Sequence, residues 1–427
     1  MSKLILTKIT QPKRPTSGKV AIYVDTADNR IKSIDSTGVV SQIGSEGAHG
    51  NSIIHNGGFR ILQRQVPAST AIAGVSTTTR AGQVADRWAV TSTVTGATIS
   101  FQQVENAGIP NVGLNARYYG SIIVATTARK VMLSQVILSS DMSHLRGKKV
   151  RVSIKTNQKV GAVQTYSMGL LQLTNAGTVD VMPAFLTGAW KIGNGVDPDW
   201  GTNLSPIPPD TGIEGENCRI GPTWAHITTR SNVAGNNLFE WQRSSAVFTI
   251  PTGAKNLVFV LFQEVIGATT DNFSFSEAQI TEGGDIIDYV EPPLAYEMWN
   301  CQRFFCKSFP YAITPAVSVS LANGGYGTIA PMVIAGNATA LGTQIPIYFP
   351  VTMWKVPAIT YYTPTSTGAL IMRHTGTTPV VQGATATVAS TLTAIGCTVA
   401  STNEASANTV VGNIMSIHWS VEADFIL

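Results

Sequence analysis

Residues 148–157 read KKVRVSIKTN, and their alternation sets the fold class. Val150, Val152 and Ile154 fall on one side of an extended chain, and Lys149, Arg151, Ser153 and Lys155 on the other. A period of two predicts an antiparallel strand with its apolar side on a core and its polar side outward. Residues 256–262, NLVFVLF, are apolar after the first and too few for a typical helix, which fits a strand buried on both faces. ATISFQQV, SIIVATT, KVMLSQVIL, SMGLLQLT, SAVFTIP and NFSFSEAQI add further strand-like runs between turn residues. Together they predict a jelly-roll β-sandwich over 51–294. Residues 186–222, rich in Gly, Pro, Asn and Asp and without a period, read as one long loop inside it.

On the N-terminal side, Val20, Ile22 and Val24 alternate with Ala21, Tyr23 and Asp25. Turns at Asp28-Asn29 and Ser36-Thr37-Gly38 make this a β meander, too small to hold a core of its own. Gly44, Gly47 and Gly50 then space a linker. On the C-terminal side, Glu291-Pro292-Pro293 breaks the chain. LAYEMWNCQRFF follows with Leu294, Met298, Trp299 and Phe305 at roughly helical spacing, which predicts a short helix. Short strands and Gly/Thr/Ser-rich turns fill the remainder. The expected class is all-β: an N-terminal segment and linker at 1–50, the sandwich at 51–294, and a short helix leading into a small β domain at 295–427.

Of the 427 residues, 44% are hydrophobic but only 13% are charged, with 29 basic against 25 acidic. The net charge of +4 is small and dispersed, so nucleic acid is not an expected partner. No apolar run approaches a membrane span, and MSKLILTKIT is too short in apolar residues for a signal peptide, so membrane insertion is not expected either. Cys218, Cys301, Cys306 and Cys397 form no CxxC pair and read as free thiols, consistent with assembly in a reducing cytoplasm.

The double glycine of Asn56-Gly57-Gly58-Phe59 is not a phosphate loop: neither GxGxxG nor Gly-Lys-Ser/Thr is present, and no helix follows. It predicts a tight turn with Asn56 and Gly57 at positive φ and Gly58 admitting a close backbone approach. This turn, the Gln63-Arg64 pair and Asp86-Arg87-Trp88 together resemble the opening of the carbohydrate-binding-module-like sandwich in phage tail fibre and receptor-binding proteins. LRGKKVRVSIKTN, EWQRSSAVFTIPTGAKNLVFVLF and the Cys301-Gln302-Arg303-Phe304 segment resemble later parts of that family, in order. So do VTMWKVPAITYYTPTSTG and the closing IHWSVEADFIL. The resemblance implies a homotrimer attached to a virion, assembled in the host cytoplasm. Residues 1–50 would anchor it to tail or baseplate proteins, and its distal part would contact host polysaccharide or lipopolysaccharide. A head or neck appendage built from the same modules is the neighbouring reading.

Sugar contact needs aromatic faces beside amide and carboxylate groups. Trp190, Asp197, Asp199, Trp200 and Asn203 supply these on the long loop, whereas Trp88 and Trp241 read as core and Trp224 is ambiguous. Related modules hold a structural calcium through a Glu after the Gly-Phe step and a late Asp. Asp271 fits the second position, but Arg60 fills the first and cannot ligate a cation, so no metal and no cofactor are expected. A polysaccharide depolymerase or esterase is the competing class. Asp197/Asp199 and Glu214/Glu216 are spaced pairs, but both lie in loop sequence and read as solvated. The six histidines form no HxxxH or HxH, although a spatial triad is not legible from sequence. A non-enzymatic binding protein is the expectation.

Overall fold

The computed structural model describes residues 8–9, 12–17, 19–26, 31–38, 40–42, 52–64, 70–75, 82–92, 97–106, 114–124, 130–160, 165–173, 204–211, 218–228, 241–264, 272–311, 313–315, 330–331, 344–362, 371–375, 378–382, 386–388, 392–401, 414–416 and 418–423. The chain divides into two compact units, Met1–Asn51 and Ser52–Leu427.

In the first unit the meander Val20–Asp25, Ile31–Asp35, Val40–Gln42 is antiparallel, and Lys8–Ile9 adds a parallel strand to its edge. Gly38 has φ 94°, a conformation that favours glycine, between the last two strands. Tyr23 and Ile34 are its buried apolar side chains.

The second unit is built on two antiparallel sheets. One has the strand order Cys218–Ile220, Ala225–Thr228, Thr165–Leu173, Leu257–Gln263, Val131–Ile137, Trp88–Ser92, Gly82–Ala85, with Leu204–Ile207 also paired to Thr165–Leu173. The other runs Gln242–Thr249, Lys149–Val160, Asn272–Glu282, Tyr118–Val124, Ala97–Glu105, Thr70–Val75. The expected all-β sandwich is present. Its core lies between the sheets, where Val150, Val152 and Ile154 meet Leu133, Phe259 and Leu261.

The first sheet is buried on its other face too. Met132, Val136, Val258, Val260 and Phe262 pack there against Trp224 and Phe304, with Trp354 partly buried against them. That second layer explains why NLVFVLF carries no polar alternation. The 186–222 stretch departs from a single loop, because Leu204–Ile207 and Cys218–Ile220 are strands within it.

The polar side of KKVRVSIKTN also differs from expectation. Arg151, Ser153 and Lys155 are buried, not outward. Arg151 Nε donates to the Gly284 carbonyl at 2.7 Å and Nη1 to Ser245 Oγ at 2.9 Å. Lys155 Nζ pairs with Glu277 Oε2 at 2.6 Å. Glu277 sits in a β-bulge at φ 53°, where the register shifts between Ser153 and Lys155. Its other oxygen accepts the Asn115 and Ala116 N–H groups. A bulge bends a strand and frees its backbone from the ladder. Here the freed Ala278 N–H donates to the Gly57 carbonyl at 3.1 Å, so the bulge is where the entry turn plugs into the sandwich.

After the sandwich, the helix Leu294–Gln302 leads to Phe305–Lys307, which pairs with the late strand His418–Glu422 and through it with Ala358–Tyr362. Gln344–Tyr348 pairs with Gly396–Ser401 in a separate three-stranded sheet. A small core of Cys306, Ile347, Phe349, Met353, Cys397, Trp419 and Val421 unites these strands. All four cysteines are free.

Candidate functional site

The motifs that stand far apart in sequence meet at one buried place. Asn56 is in the left-handed region at φ 55° and so is Phe59 at φ 55°; Gly57 is not, contrary to expectation. Gly57 is required for space instead, since a Cβ there would overlap the Ala278 carbonyl oxygen. Gly58 is confined less tightly, with Tyr289 Oη 2.8 Å from where its Cβ would lie.

Asn56 Nδ2 donates to the carbonyls of Ile61 at 2.8 Å and Asp86 at 3.0 Å, and Asn56 Oδ1 accepts the Ile61 N–H at 2.9 Å. The Asn56 carbonyl accepts Trp88 Nε1–H at 2.9 Å, and the Asn56 N–H donates to Glu297 Oε1. Asp86 accepts the Gln63 N–H at 2.9 Å and Arg64 Nη1 at 2.7 Å. Arg64 then reaches Glu422 through Nε at 3.0 Å and Nη2 at 2.7 Å, and its guanidinium lies 4.2 Å from the Phe305 ring centre. Arg87, at φ 74°, stacks on Phe304 at 3.3 Å. Lys307 Nζ donates to the carbonyls of Gln63 at 2.6 Å, Tyr311 at 3.0 Å and Ile313 at 2.6 Å. The turn, the Gln-Arg pair, Asp-Arg-Trp and the Cys-Gln-Arg-Phe segment are therefore parts of one lock between the sandwich and the strands that follow it.

Burial sets the electrostatics of this lock. It pushes the Asp86 carboxyl up despite the Arg64 guanidinium, and brings Lys307 down to about 8 against the pull of Asp86. Glu297 is pushed up to about 7, first by burial and then by neighbouring Glu291, while the Asn56 N–H opposes the rise. The folded chain thus holds a proton on Glu297 that the unfolded chain has released near pH 4.5. Its protonation favours folding below that pH, and the benefit is lost as pH rises to about 7, on the order of 3 kcal/mol at most. Glu297→Gln keeps the acceptor for Asn56, so unfolding scans between pH 4 and 8 are expected to show a flatter profile and greater stability at pH 8. An unchanged slope would reject this assignment.

A second polar group lies on the sheet face away from the sandwich core. Ser167 Oγ donates to Glu264 Oε1 at 2.8 Å, and His226 Nδ1 contacts the same oxygen. Ser167 Oγ also lies 3.3 Å from His226 Nδ1. A nucleophile relay needs the two imidazole nitrogens to serve different partners. Here serine and carboxylate share Nδ1, and Nε2 faces Gly221, 2.5 Å from where a Cβ there would stand. This trio ties neighbouring strands together and lacks relay geometry.

The sequence-predicted glycan residues Trp190, Asp197, Asp199, Trp200 and Asn203 all lie outside the described residues, as does Asp271. Trp88, Trp224 and Trp241 are buried. Arg60 stands 3.9 Å from Glu291 and near the Pro292 carbonyl. Among the described residues no three His, Cys, Asp or Glu side chains group as a metal site would require.

The exposed aromatic surface lies elsewhere. Trp299 on the helix is 57% exposed and Tyr348 at the end of its strand 74%. They line an open trough of about 420 Å³ together with Phe349, Pro350, Val351, Thr352 and Ile395. The helix that carries Trp299 buries Glu297 and Cys301 and turns Leu294, Tyr296 and Trp299 outward. The sequence held a signal for Tyr348: it sits between Ile347 and Phe349, both buried, so period two directs it to the opposite side. Trp299 had no such signal: the face its helix buries carries Glu297, which accepts the Asn56 N–H, and Cys301 rather than the apolar Leu294 and Trp299.

No family model and no curated protein matches the chain. Solved structures show distant likeness. One is the CBM22-1–GH10 part of a Clostridium thermocellum endo-1,4-β-D-xylanase in complex with xylohexaose, at 12% identity and a TM-score of 0.26, covering 52% of this chain and 30% of that one. Another is the enzymatically active domain of tailspike protein 4 of bacteriophage CBA120, at 12% identity and 0.25, covering 50% of this chain and 22% of that one. TmCBM61 in complex with β-1,4-galactotriose gives 12% and 0.28, covering 54% of this chain and 99% of that one. The chain therefore spans less than a third of the first two. Likeness at this level assigns neither a ligand nor a reaction.

Proposed function

We propose that this chain is a structural and binding protein, the subunit of a homotrimeric phage tail fibre that attaches the virion to host-surface polysaccharide without cleaving it. The observation that carries the reading is the lock. The residues that resemble tail fibre and receptor-binding proteins join two β bodies through partly buried ion pairs and a shared apolar sheet face. Such a joint resists bending, which an elongated attachment device needs and a diffusing enzyme does not. Low overall charge fits polar β surfaces covered by neighbouring subunits. The separate unit Met1–Asn51 suits anchoring to a virion protein. Individually modest sugar contacts, multiplied over three chains and several fibres, would give firm adsorption. Sedimentation of the purified chain is expected to give the mass of three copies; the mass of one would refute the trimer.

A further inference from the structure

We infer that the Trp299–Tyr348 trough is a sugar-binding subsite that takes the C–H face of a neutral or hydroxyl-rich hexose unit of a surface polysaccharide. The inference rests on the glycan-attachment reading above and adds the place. Two exposed aromatic rings line an open trough, and none of its lining residues is charged. An uncharged lining offers no anchor to a phosphate or to an acidic or basic peptide. An aromatic face pairs with the apolar face of a ring while hydroxyls at its edge stay in water or meet donors at the rim. Thr352 and the Tyr348 hydroxyl supply such polar groups.

The trough is also preformed. The Phe349 N–H donates to the Ile395 carbonyl at 3.0 Å and the Met353 N–H to the Ala394 carbonyl at 2.7 Å, which pins one wall to the other. Gly396 faces Tyr348 across the ladder, and a Cβ at Gly396 would strike the Ile347 carbonyl, so the walls close only with glycine there. On the other side, the Trp354 N–H donates to the Arg303 carbonyl at 3.1 Å at the end of the Trp299 helix. A fixed platform loses little freedom on binding. Other large apolar side chains exposed to a degree comparable with Trp299, among them Ile286, Tyr296 and Val356, do not line the trough.

The test is retention on an array of bacterial O-antigen and capsular saccharides by the full chain and by Trp299→Ala, Tyr348→Ala and Trp299→Phe. On saccharides that retain the wild type, each alanine variant is expected to bind about tenfold more weakly, with Trp299→Phe recovering most of the loss and the sedimentation mass unchanged. Wild-type binding with undiminished binding by both alanine variants would overturn this site and leave the glycan reading intact. A changed sedimentation mass in either alanine variant would make the trough a subunit interface and overturn it too. Failure of the wild type on every saccharide would overturn the glycan reading itself.

Discussion

Arg64→Ala is expected to lower the unfolding free energy of the chain by about 3–5 kcal/mol, the cost of removing one partner from a buried ion pair. Arg64 grips both Asp86, at the entry of the sandwich, and Glu422, on the last described strand. Without it the buried Asp86 carboxylate keeps its contacts with Gln63 but loses its paired guanidinium, and the stack on Phe305 is lost as well. Arg64→Lys is expected to recover less than half, because an ammonium cannot span two carboxylates with the planar fork the guanidinium uses. Denaturant unfolding of both variants measures this. A loss below 1 kcal/mol in Arg64→Ala would show that the two β bodies are joined mainly by the apolar contact around Phe304.

Lys155→Met carries the second large effect, about 3 kcal/mol of lost stability. The substitution keeps length and apolar packing but strands the Glu277 carboxylate in a bulge where it is almost fully buried. The two amide donors of Asn115 and Ala116 remain, which keeps the loss at the lower end of that range. Lys155→Met combined with Glu277→Gln is expected to restore more than half, since the amide carries no charge and still accepts both N–H groups. If the double variant is no better than the single one, the ion pair does not set the stability of the bulge.

Lys155 and its strand neighbour Arg151 also show where sequence stops informing structure. Val150, Val152 and Ile154 declare their strand and its inner face because a neighbour two residues away is enough to see a period. Nothing within that window says that the other face is covered. Arg151 is capped by the Gly284 carbonyl and Lys155 by Glu277, more than a hundred residues later in the chain. Charged residues at alternate positions therefore read as solvated when they are paired and buried.

The same limit governs the candidate site. The entry turn, Gln63-Arg64, Asp86-Arg87-Trp88 and Cys301–Phe304 are visible as motifs, but their convergence into a single lock is a fact of folding. Trp299 lies in a helix whose apolar spacing was legible, yet the face it buries carries Glu297, bonded to Asn56, and Cys301. Tyr348 was within reach of a period-two reading. The tryptophans and carboxylates of the 186–203 stretch, by contrast, stand out by composition and lie outside the described residues.

Attachment without cleavage is tested most directly by a paired assay on purified chain: retention on the array of bacterial O-antigen and capsular saccharides, then analysis of each retained polysaccharide for new reducing ends and released acetate. Retention on a narrow set of saccharides is expected, with neither product appearing. New reducing ends or free acetate would make the protein an enzyme, and retention on no saccharide would remove glycan attachment from its function.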